Sequence, residues 1–183
     1  MSQLETVILA NGCFWCTEAI FNRLKGVTSV VPGYAASQVE NPSYEQVCTG
    51  RTGAAEATQI TYDPSIISYD TLLEIFWHTH DPTTLNRQGN DIGTQYRSAI
   101  FYQNDAQKQG ALASKEALEK SSAYKKPIVT EITPFTNFYP AENYHKDYYD
   151  NNRSQGYCMF VIDPKVKKLL KEYSDVVKDE YTR

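Results

Sequence analysis

Two cysteines near the N-terminus, Cys13 and Cys16, have the spacing and surroundings of a reactive thiol site. They lie in Asn-Gly-Cys-Phe-Trp-Cys, between an apolar, branched segment at 6–10 that predicts a strand and Thr17–Phe21, which predicts a helix. A sulfur at a helix start faces unpaired backbone N–H groups and the positive end of the helix dipole. This environment favours the thiolate, the nucleophilic form of cysteine. The alternative is a plug in the core, because free cysteine is among the most buried residue types.

Two other kinds of chemistry fit the Cys-x-x-Cys spacing. Together with His78-x-His80, Cys13-x-x-Cys16 supplies four side chains of the types that bind structural zinc. However, bulky aromatic residues separate the cysteines and no second Cys-x-x-Cys exists, so we expect no metal site. The same spacing occurs at the helix start of dithiol oxidoreductases, which exchange disulfides through both sulfurs. That possibility stays open at this point.

The composition indicates one ordered domain, residues 1–183, and argues against several classes of protein. A chain of this length with 41% hydrophobic residues buries a sizeable core. Its net charge of −4 provides no basic surface for nucleic acid or an anionic membrane, and no apolar run approaches the roughly 20 residues of a membrane span. Residues 1–5 lack the basic and apolar regions of a secretory signal, so we expect a cytoplasmic protein. Four cysteines in such a chain argue against a disulfide framework.

Strands and helices are interspersed without strict alternation. We predict strands over 6–10, 27–33, 55–62, 98–102, 128–133 and 158–162. We predict helices over 14–23, 68–78, 105–120, 142–151 and 164–177, with a short turn at 44–48. A polar loop fills 82–97, and loops of that length inside a compact domain are usually functional. This order predicts an α/β or α+β two-layer sandwich.

Six segments spread along the chain carry a family resemblance. They are Gly-Cys-Phe-Trp-Cys at 12–16, Pro-Ser-Tyr-Glu-Gln-Val-Cys at 42–48, Gly-Ala-Ala-Glu-Ala at 53–57, Gln-Gly-Asn-Asp-Ile-Gly-Thr-Gln-Tyr-Arg-Ser at 88–98, Phe-Tyr-Pro-Ala-Glu-Asn-Tyr-His at 138–145 and Gln-Gly-Tyr-Cys at 155–158. Together they resemble the A-type peptide-methionine sulfoxide reductases, from about Val7 to Ile162. The resemblance implies an α+β two-layer sandwich with a mixed sheet and a ferredoxin-like core. It also implies repair of oxidised proteins, by reduction of methionine S-sulfoxide, free or in proteins, to methionine.

The resemblance implies the central chemistry for four residues. Cys13 matches the nucleophile, whose thiolate attacks the sulfoxide sulfur and becomes a sulfenic acid. Glu56 matches the acid that protonates the sulfoxide oxygen, and burial among small neighbours raises a carboxyl pKa toward the value a general acid needs. Tyr44 and Tyr96 match the hydroxyls that bind that oxygen. In one departure from the family, Ala55 stands where histidine is frequent.

The resemblance also implies a binding pocket. Phe14 and Trp15 match the apolar pocket for the terminal methyl group of the substrate, and Asp91 matches a contact to the substrate's backbone nitrogen. We expect Arg97 and His145 to hold loops in place. A non-catalytic protein would instead use the two aromatic residues as a peptide pocket beside an inert thiol.

Turnover requires a second thiol that attacks the sulfenic acid and forms a disulfide, which thioredoxin then reduces. Cys158 matches the family's recycling cysteine, although 159–164 predict an ordered strand and helix rather than a flexible tail. Cys16 is the alternative, because it lies one helical turn from Cys13. Cys48 is expected to be structural. We expect a monomer without a cofactor.

Overall fold

The structure, a computed structural model, describes residues 3–182. Its strands are β1 (Glu5–Asn11), β2 (Val27–Ala35), β3 (Ala55–Tyr62), β4 (Arg87–Gln88), β5 (Asp91–Ile92), β6 (Ser98–Tyr102), β7 (Glu131–Pro134) and β8 (Phe138–Pro140). Its α-helices are α1 (Phe14–Phe21), α2 (Tyr44–Cys48), α3 (Tyr69–His78), α4 (Asp105–Lys120), α5 (Tyr148–Asn151) and α6 (Asp163–Glu172). Single turns of 3-10 helix lie at Thr94–Tyr96, Asn143–His145, Ser174–Val176 and Asp179–Tyr181, and a π-helical turn lies at Cys158–Ile162.

Six of these strands form one mixed sheet in the order β7-β6-β1-β3-β2-β8. Every neighbouring pair is antiparallel except β6 and β7, which are parallel. Helix α1 connects β1 to β2, and α3 lies on the connection from β3 to β6. The combination of a mixed sheet with helices confirms the general class predicted from the sequence. Within residues 3–182, no helix combines the length and apolar character that a bilayer span requires.

The main core lies between one face of the sheet and the helices. Val7 and Leu9 of β1 point into it, and alternate residues such as Ile8 lie in a second, smaller cluster on the other face. Each fully buried aliphatic or aromatic side chain of this kind contributes about 1.5–3 kcal/mol to folding. In α3, Ser68 accepts a hydrogen bond from the Thr71 N–H and begins the helix, as predicted.

The predicted strand at 158–162 is wrong. Cys158–Ile162 forms a π-helical turn that runs directly into α6. The apolar run Cys-Met-Phe-Val-Ile has strand-forming composition, but a short apolar run does not distinguish a strand from a helical segment. Cys158 and Ile162 are buried while Met159 and Phe160 are exposed, which is a helical pattern of burial.

Other predicted elements are shorter than expected, including the strand predicted over 128–133, which the structure has at Glu131–Pro134. The helix predicted over 142–151 is broken into the turn Asn143–His145 and helix α5, because Asp147 between them has a left-handed backbone with φ +53°. The helix predicted over 164–177 ends at Glu172. The polar loop at 82–97 contains the small β4–β5 hairpin.

Candidate active site

Cys13 is fixed at the junction between β1 and α1. It occupies the N-cap position of α1, and its side chain is only 7% exposed. Gly12, just before it, has φ +102°, and a Cβ there would lie 2.8 Å from the side chain of Gln88. Only glycine therefore allows this turn, because a larger residue would be strained and would displace that neighbour. The turn brings the sulfur to the first turn of the helix, as predicted.

Glu56 lies on β3 and reaches the same helix start. Its side chain is 1% exposed, and its Oε2 accepts the backbone N–H of Phe14 at 3.1 Å. Burial raises the pKa of Glu56 to about 8, against the opposing hydrogen bond from Phe14, and the negative charge of Asp91 raises it further. The carboxyl group is therefore largely protonated at neutral pH and can donate a proton.

The thiols of Cys13 and Cys16 form a hydrogen-bonded pair. Burial raises the pKa of Cys13, and its hydrogen bond to Cys16 and the charge of Glu56 act in the same direction. The hydrogen bond from Cys13 lowers the pKa of Cys16 to about 7. The helix start alone predicted an easily ionised Cys13, but in this buried pair the thiolate is favoured on Cys16 instead.

Tyr44 and Tyr96 both lie within electrostatic reach of Glu56. Tyr44 begins α2, where its backbone N–H donates to Glu142 Oε2 at 3.1 Å, and Tyr96 ends the turn that follows β5. Burial raises the pKa of both tyrosines, and the charge of Glu56 raises it further. Both hydroxyls therefore remain protonated hydrogen-bond donors at neutral pH. The structure brings these two predicted residues together with the predicted acid.

Trp15 is held on two sides by aromatic residues. Its ring stacks on Tyr148 with centroids 3.7 Å apart and an angle of 7°, and Tyr157 meets it edge-on at 5.7 Å. The indole N–H donates to His145 Nδ1 at 3.0 Å. Trp15 stays partly exposed, whereas Phe14 is fully buried. Of the two predicted pocket residues, Trp15 thus presents a surface and Phe14 supports the site from behind.

His145 has one tautomer in this arrangement. Because its Nδ1 accepts the indole N–H of Trp15, the ring proton lies on Nε2, which has no hydrogen-bond partner among residues 3–182. Burial lowers the pKa of His145, so the ring is neutral. Its ring also contacts Phe14 at 4.9 Å and Tyr44 at 4.7 Å. His145 was expected only to hold a loop, but it lies inside the aromatic wall of the site.

Tyr157 links Asp91 to the thiols, and the sequence reasoning gave it no role. Its hydroxyl donates to Asp91 Oδ2 at 2.6 Å and lies 3.9 Å from Cys16 Sγ. Its hydroxyl also acts to lower the pKa of Cys13. Tyr157 belongs to the quoted segment Gln-Gly-Tyr-Cys, so its place directly before Cys158 was the available signal.

Comparison with known proteins identifies the family. Residues 5–177 match the peptide methionine sulfoxide reductase family. The chain belongs to this family. It is 55% identical over 172 residues to "Peptide methionine sulfoxide reductase MsrA" of Sulfolobus acidocaldarius, covering 94% of this chain and 97% of that protein. This confirms the resemblance found in the sequence: the chain is a methionine sulfoxide reductase of the A type.

Solved structures of the family have the same fold. Reduced Mxr1 from Saccharomyces cerevisiae superposes with a TM-score of 0.77 at 37% identity, over 85% of this chain and 90% of that one. Methionine sulfoxide reductase A of Corynebacterium diphtheriae gives 0.75 at 36% identity, over 81% and 75%. Mxr1 in complex with Trx2 matches at 0.55 and 28% identity, over 80% of this chain and 85% of that one.

The remaining thiols of this reductase lie in different surroundings. Cys158 is fully buried in one cluster with Cys13 and Cys16, and it interacts electrostatically with Cys16. Helical geometry at 158–162 therefore brings the predicted recycling cysteine next to the pair. Cys48, expected to be structural, is exposed at the end of α2, where it hydrogen-bonds the Tyr44 hydroxyl.

Neither His78 nor His80 hydrogen-bonds these thiols, so the four zinc-binding side chains suggested by the sequence do not come together. His80 is buried between the Phe76 carbonyl and the Ser98 hydroxyl, and the Nδ1 of His78 contacts the Glu74 carbonyl. Over residues 3–182, no group of three or more histidine, cysteine or acidic side chains is arranged to hold a metal ion. Arg97 does hold loops, as expected: its guanidinium donates to the carbonyls of Thr94 and Gly53.

Proposed function

We propose that this chain is one catalytic domain that reduces methionine S-sulfoxide, free or in proteins, with Cys13 as nucleophile and Glu56 as acid. The observation that carries the proposal is the placement of a protonated carboxyl, Glu56, and the sulfur of Cys13 at the start of the same helix. A further part of the proposal concerns the fold: the order β6-β1-β3-β2, with α1 and α3 on the connections, supports a ferredoxin-like core.

In the first step, the sulfur of Cys13 attacks the sulfoxide sulfur while Glu56 gives its proton to the sulfoxide oxygen. The sulfur–oxygen bond of the substrate breaks, and the oxygen is transferred to Cys13. The proton of the Cys13 thiol replaces the proton that Glu56 gives up. Thiol and sulfoxide thus become sulfenic acid and thioether, so that the substrate is reduced by two electrons and Cys13 is oxidised by two. The hydroxyls of Tyr44 and Tyr96 donate hydrogen bonds to the oxygen as its charge develops.

Substrate recognition is assigned to the aromatic side of the site. The exposed face of Trp15 receives the terminal methyl group, with Phe14 behind it, and Asp91 accepts from the substrate's backbone nitrogen. The two tyrosine hydroxyls bind the oxygen on the other side. A sulfoxide sulfur is a stereocentre, and one enzyme acts on each epimer. An apolar contact on one side and fixed donors on the other select a single epimer, which we propose is the S form.

The sulfenic acid is resolved by an intramolecular disulfide. Cys16 is hydrogen-bonded to Cys13, and Cys158 lies next to Cys16. This order supports attack by Cys16 first, with loss of water, followed by thiol–disulfide exchange that moves the bond to Cys16 and Cys158. Direct attack by Cys158, favoured by the sequence motif, is the alternative. Thioredoxin then reduces the disulfide, a proposal supported by the complex of the relative Mxr1 with Trx2.

The activity is tested by incubating the protein with dabsylated methionine S-sulfoxide and dithiothreitol and measuring methionine. We expect turnover by the wild type and none by Cys13→Ser. The R epimer should remain unreacted. A protein that leaves the sulfoxide intact but reduces insulin disulfides would be a general dithiol oxidoreductase, and the proposal would be abandoned.

The resolving thiol is identified by mapping disulfides after one turnover without reductant. In Cys158→Ser we expect a Cys13–Cys16 disulfide and about one methionine released per enzyme. In Cys16→Ser we expect a sulfenic acid that persists on Cys13. A Cys13–Cys158 disulfide that forms in Cys16→Ser at the wild-type rate would favour the alternative of direct attack.

A further inference from the structure

Besides Glu56 of β3, the site region contains a buried carboxylate on helix α1, Glu18, which the proposed chemistry does not use. Its side chain is 1% exposed. Glu18 Oε1 accepts the backbone N–H of Asp147 at 2.9 Å, and the backbone of Tyr148 also hydrogen-bonds the carboxylate. Burying a carboxylate costs free energy unless it is hydrogen-bonded, and here two consecutive amides from a distant segment supply the partners.

These amides begin helix α5, which lacks a cap of its own. Asp147 occupies the N-cap position of α5 with φ +53°, and its side chain makes no capping hydrogen bond. A left-handed backbone at a residue other than glycine is strained and persists only where its surroundings hold it. Glu18 therefore supplies, from another element, the cap that this short helix needs.

The segment that Glu18 holds is the one that fixes Trp15. Tyr148 stacks on the indole ring, and His145 accepts the indole N–H. Trp15 and Glu18 are three residues apart in α1, so they lie on neighbouring positions of one helix face. The helix thus contacts 145–148 twice, through the indole and through the carboxylate. Moving the segment away from Glu18 would also change both contacts to Trp15.

We propose that Glu18 is a positioning residue that orients the Trp15 wall, defined as Trp15, His145 and Tyr148, for substrate binding. The inference rests on the proposed function only in giving Trp15 the substrate's methyl group. Glu18 touches no reacting atom in this scheme. Its effect is on affinity, transmitted through the backbone of the segment that it caps.

The electrostatics of Glu18 make this wall sensitive to pH. Burial raises the pKa of Glu18 to about 7, and the charges of Asp147 and Asp150 raise it further against the opposing hydrogen bonds. Arg23 offsets part of this negative charge through its ion pair with Asp150 at 2.6 Å. Below the pKa the carboxyl is neutral and is a weaker acceptor for the two amides. The Trp15 wall is therefore held most firmly at mildly alkaline pH.

The first test compares the kinetics of Glu18→Gln with those of the wild type. Glutamine keeps the shape and one acceptor oxygen but removes the charge, so we expect KM to rise about fivefold with kcat within about twofold. Glu116→Gln is the matched control, because that exposed carboxylate pairs with Lys120 of the same helix, α4. An unchanged KM for Glu18→Gln would overturn the inference, as would an equal rise in the control.

The second test needs no activity and so separates this inference from the proposed function. The chain has two tryptophans, so 5-fluorotryptophan gives two fluorine NMR signals, and Trp15→Phe assigns them. We expect the Trp15 signal to shift with a midpoint near pH 7 between about pH 5.5 and about pH 8.5. Burial lowers the pKa of His145 below its ordinary value of 6.5, so this ring titrates at lower pH than Glu18. Cys16 also has a pKa of about 7 and lies in the same cluster as Trp15, so the shift is compared between Cys16→Ser and the double variant Cys16→Ser with Glu18→Gln. A shift that persists in the double variant, or no shift in Cys16→Ser, would refute the coupling.

The third test asks whether Glu18 acts through Tyr148. Tyr148→Ala removes the stacking ring, so adding Glu18→Gln to it should raise KM by less than about 1.5-fold. Tyr148→Phe retains the ring, and in that background the full effect of Glu18→Gln should return. Effects that multiply fully in the alanine background would show that Glu18 does not work through this stack.

Discussion

Two buried carboxylates lie at helix α1: Glu56 of β3 contacts its first turn, and Glu18 belongs to the helix itself. Their electrostatics are similar, but their surroundings differ. Glu56 and Glu18 are each 1% exposed, each accepts a backbone N–H, and burial raises the pKa of each, to about 8 and about 7. Glu56 accepts the first amide of the helix beside Cys13, whereas Glu18 accepts an amide at the start of helix α5. A raised pKa alone therefore does not identify a general acid, because the group must also lie beside the reacting atoms.

The largest effect expected from this comparison is on the chemical step. In single-turnover measurements with saturating substrate, Glu56→Gln should slow methionine formation by about 10²–10⁴, the usual contribution of a general acid. Glu18→Gln should change the same rate by no more than about twofold, because its effect is on binding. Glutamine at position 56 still accepts the Phe14 N–H, so the helix start remains in place. Equal losses in the two variants would abolish the distinction.

The two carboxylates should also differ in how they affect the pH dependence of the chemical step. The acid form of Glu56, whose pKa is about 8, is the active form, so the rate is retained below that pH and falls above it by about tenfold per pH unit. Glu18 does not contribute to this decrease in rate at alkaline pH, so Glu18→Gln should leave the decrease unchanged. Rapid-quench rates over the alkaline range test this. A rate that stays level above pH 8 would remove Glu56 as the proton donor.

The smallest difference between the two carboxylates is in their effect on the free energy of unfolding, which should have the same sign for both. A carboxyl with a raised pKa costs the folded state nothing below its ordinary pKa of 4.5, and the cost grows until the pH passes the folded value, about 8 for Glu56 and about 7 for Glu18. Each pKa unit corresponds to about 1.4 kcal/mol. Urea unfolding should therefore show each glutamine variant gaining stability over the wild type as pH rises from about 5 to about 9.

For that stability measurement, the reference is Glu116→Gln, which removes an exposed carboxylate. The gain of Glu18→Gln should level off about one pH unit before that of Glu56→Gln, following the order of the two pKa values. Gains that do not depend on pH would mean that neither carboxylate is held in a raised-pKa environment.

The sequence predicted the parts of the site that local patterns encode. A strand, an Asn-Gly turn and a helix placed Cys13 at a helix start, and the motif resemblance assigned Glu56, Tyr44 and Tyr96, which the structure brings together. The central strands and the cap of α3 followed from alternation and from Ser68. These features depend on residues that are neighbours in the chain, so their physical cause is visible there.

What the sequence did not predict depends on contacts between distant segments. Glu18 is charged and lies in a short helix, which normally indicates an exposed position, but nearly every residue of α1 is buried. Its partner Asp147 is 129 residues away. The π-helical turn at Cys158–Ile162 was mistaken for a strand because its composition fits both. The role of Tyr157 depends on Asp91, which lies 66 residues away in the polar loop at 82–97.

The two outer strands of the sheet are short and each ends in proline: β7 at Pro134 and β8 at Pro140. Proline donates no backbone N–H, and edges of three or four residues offer few hydrogen bonds to an incoming chain. A reductase that acts on methionine sulfoxide in proteins, as proposed above, would bind polypeptide segments with unpaired backbone. Edges built in this way make the enzyme a poor template for β-strand pairing with such substrates.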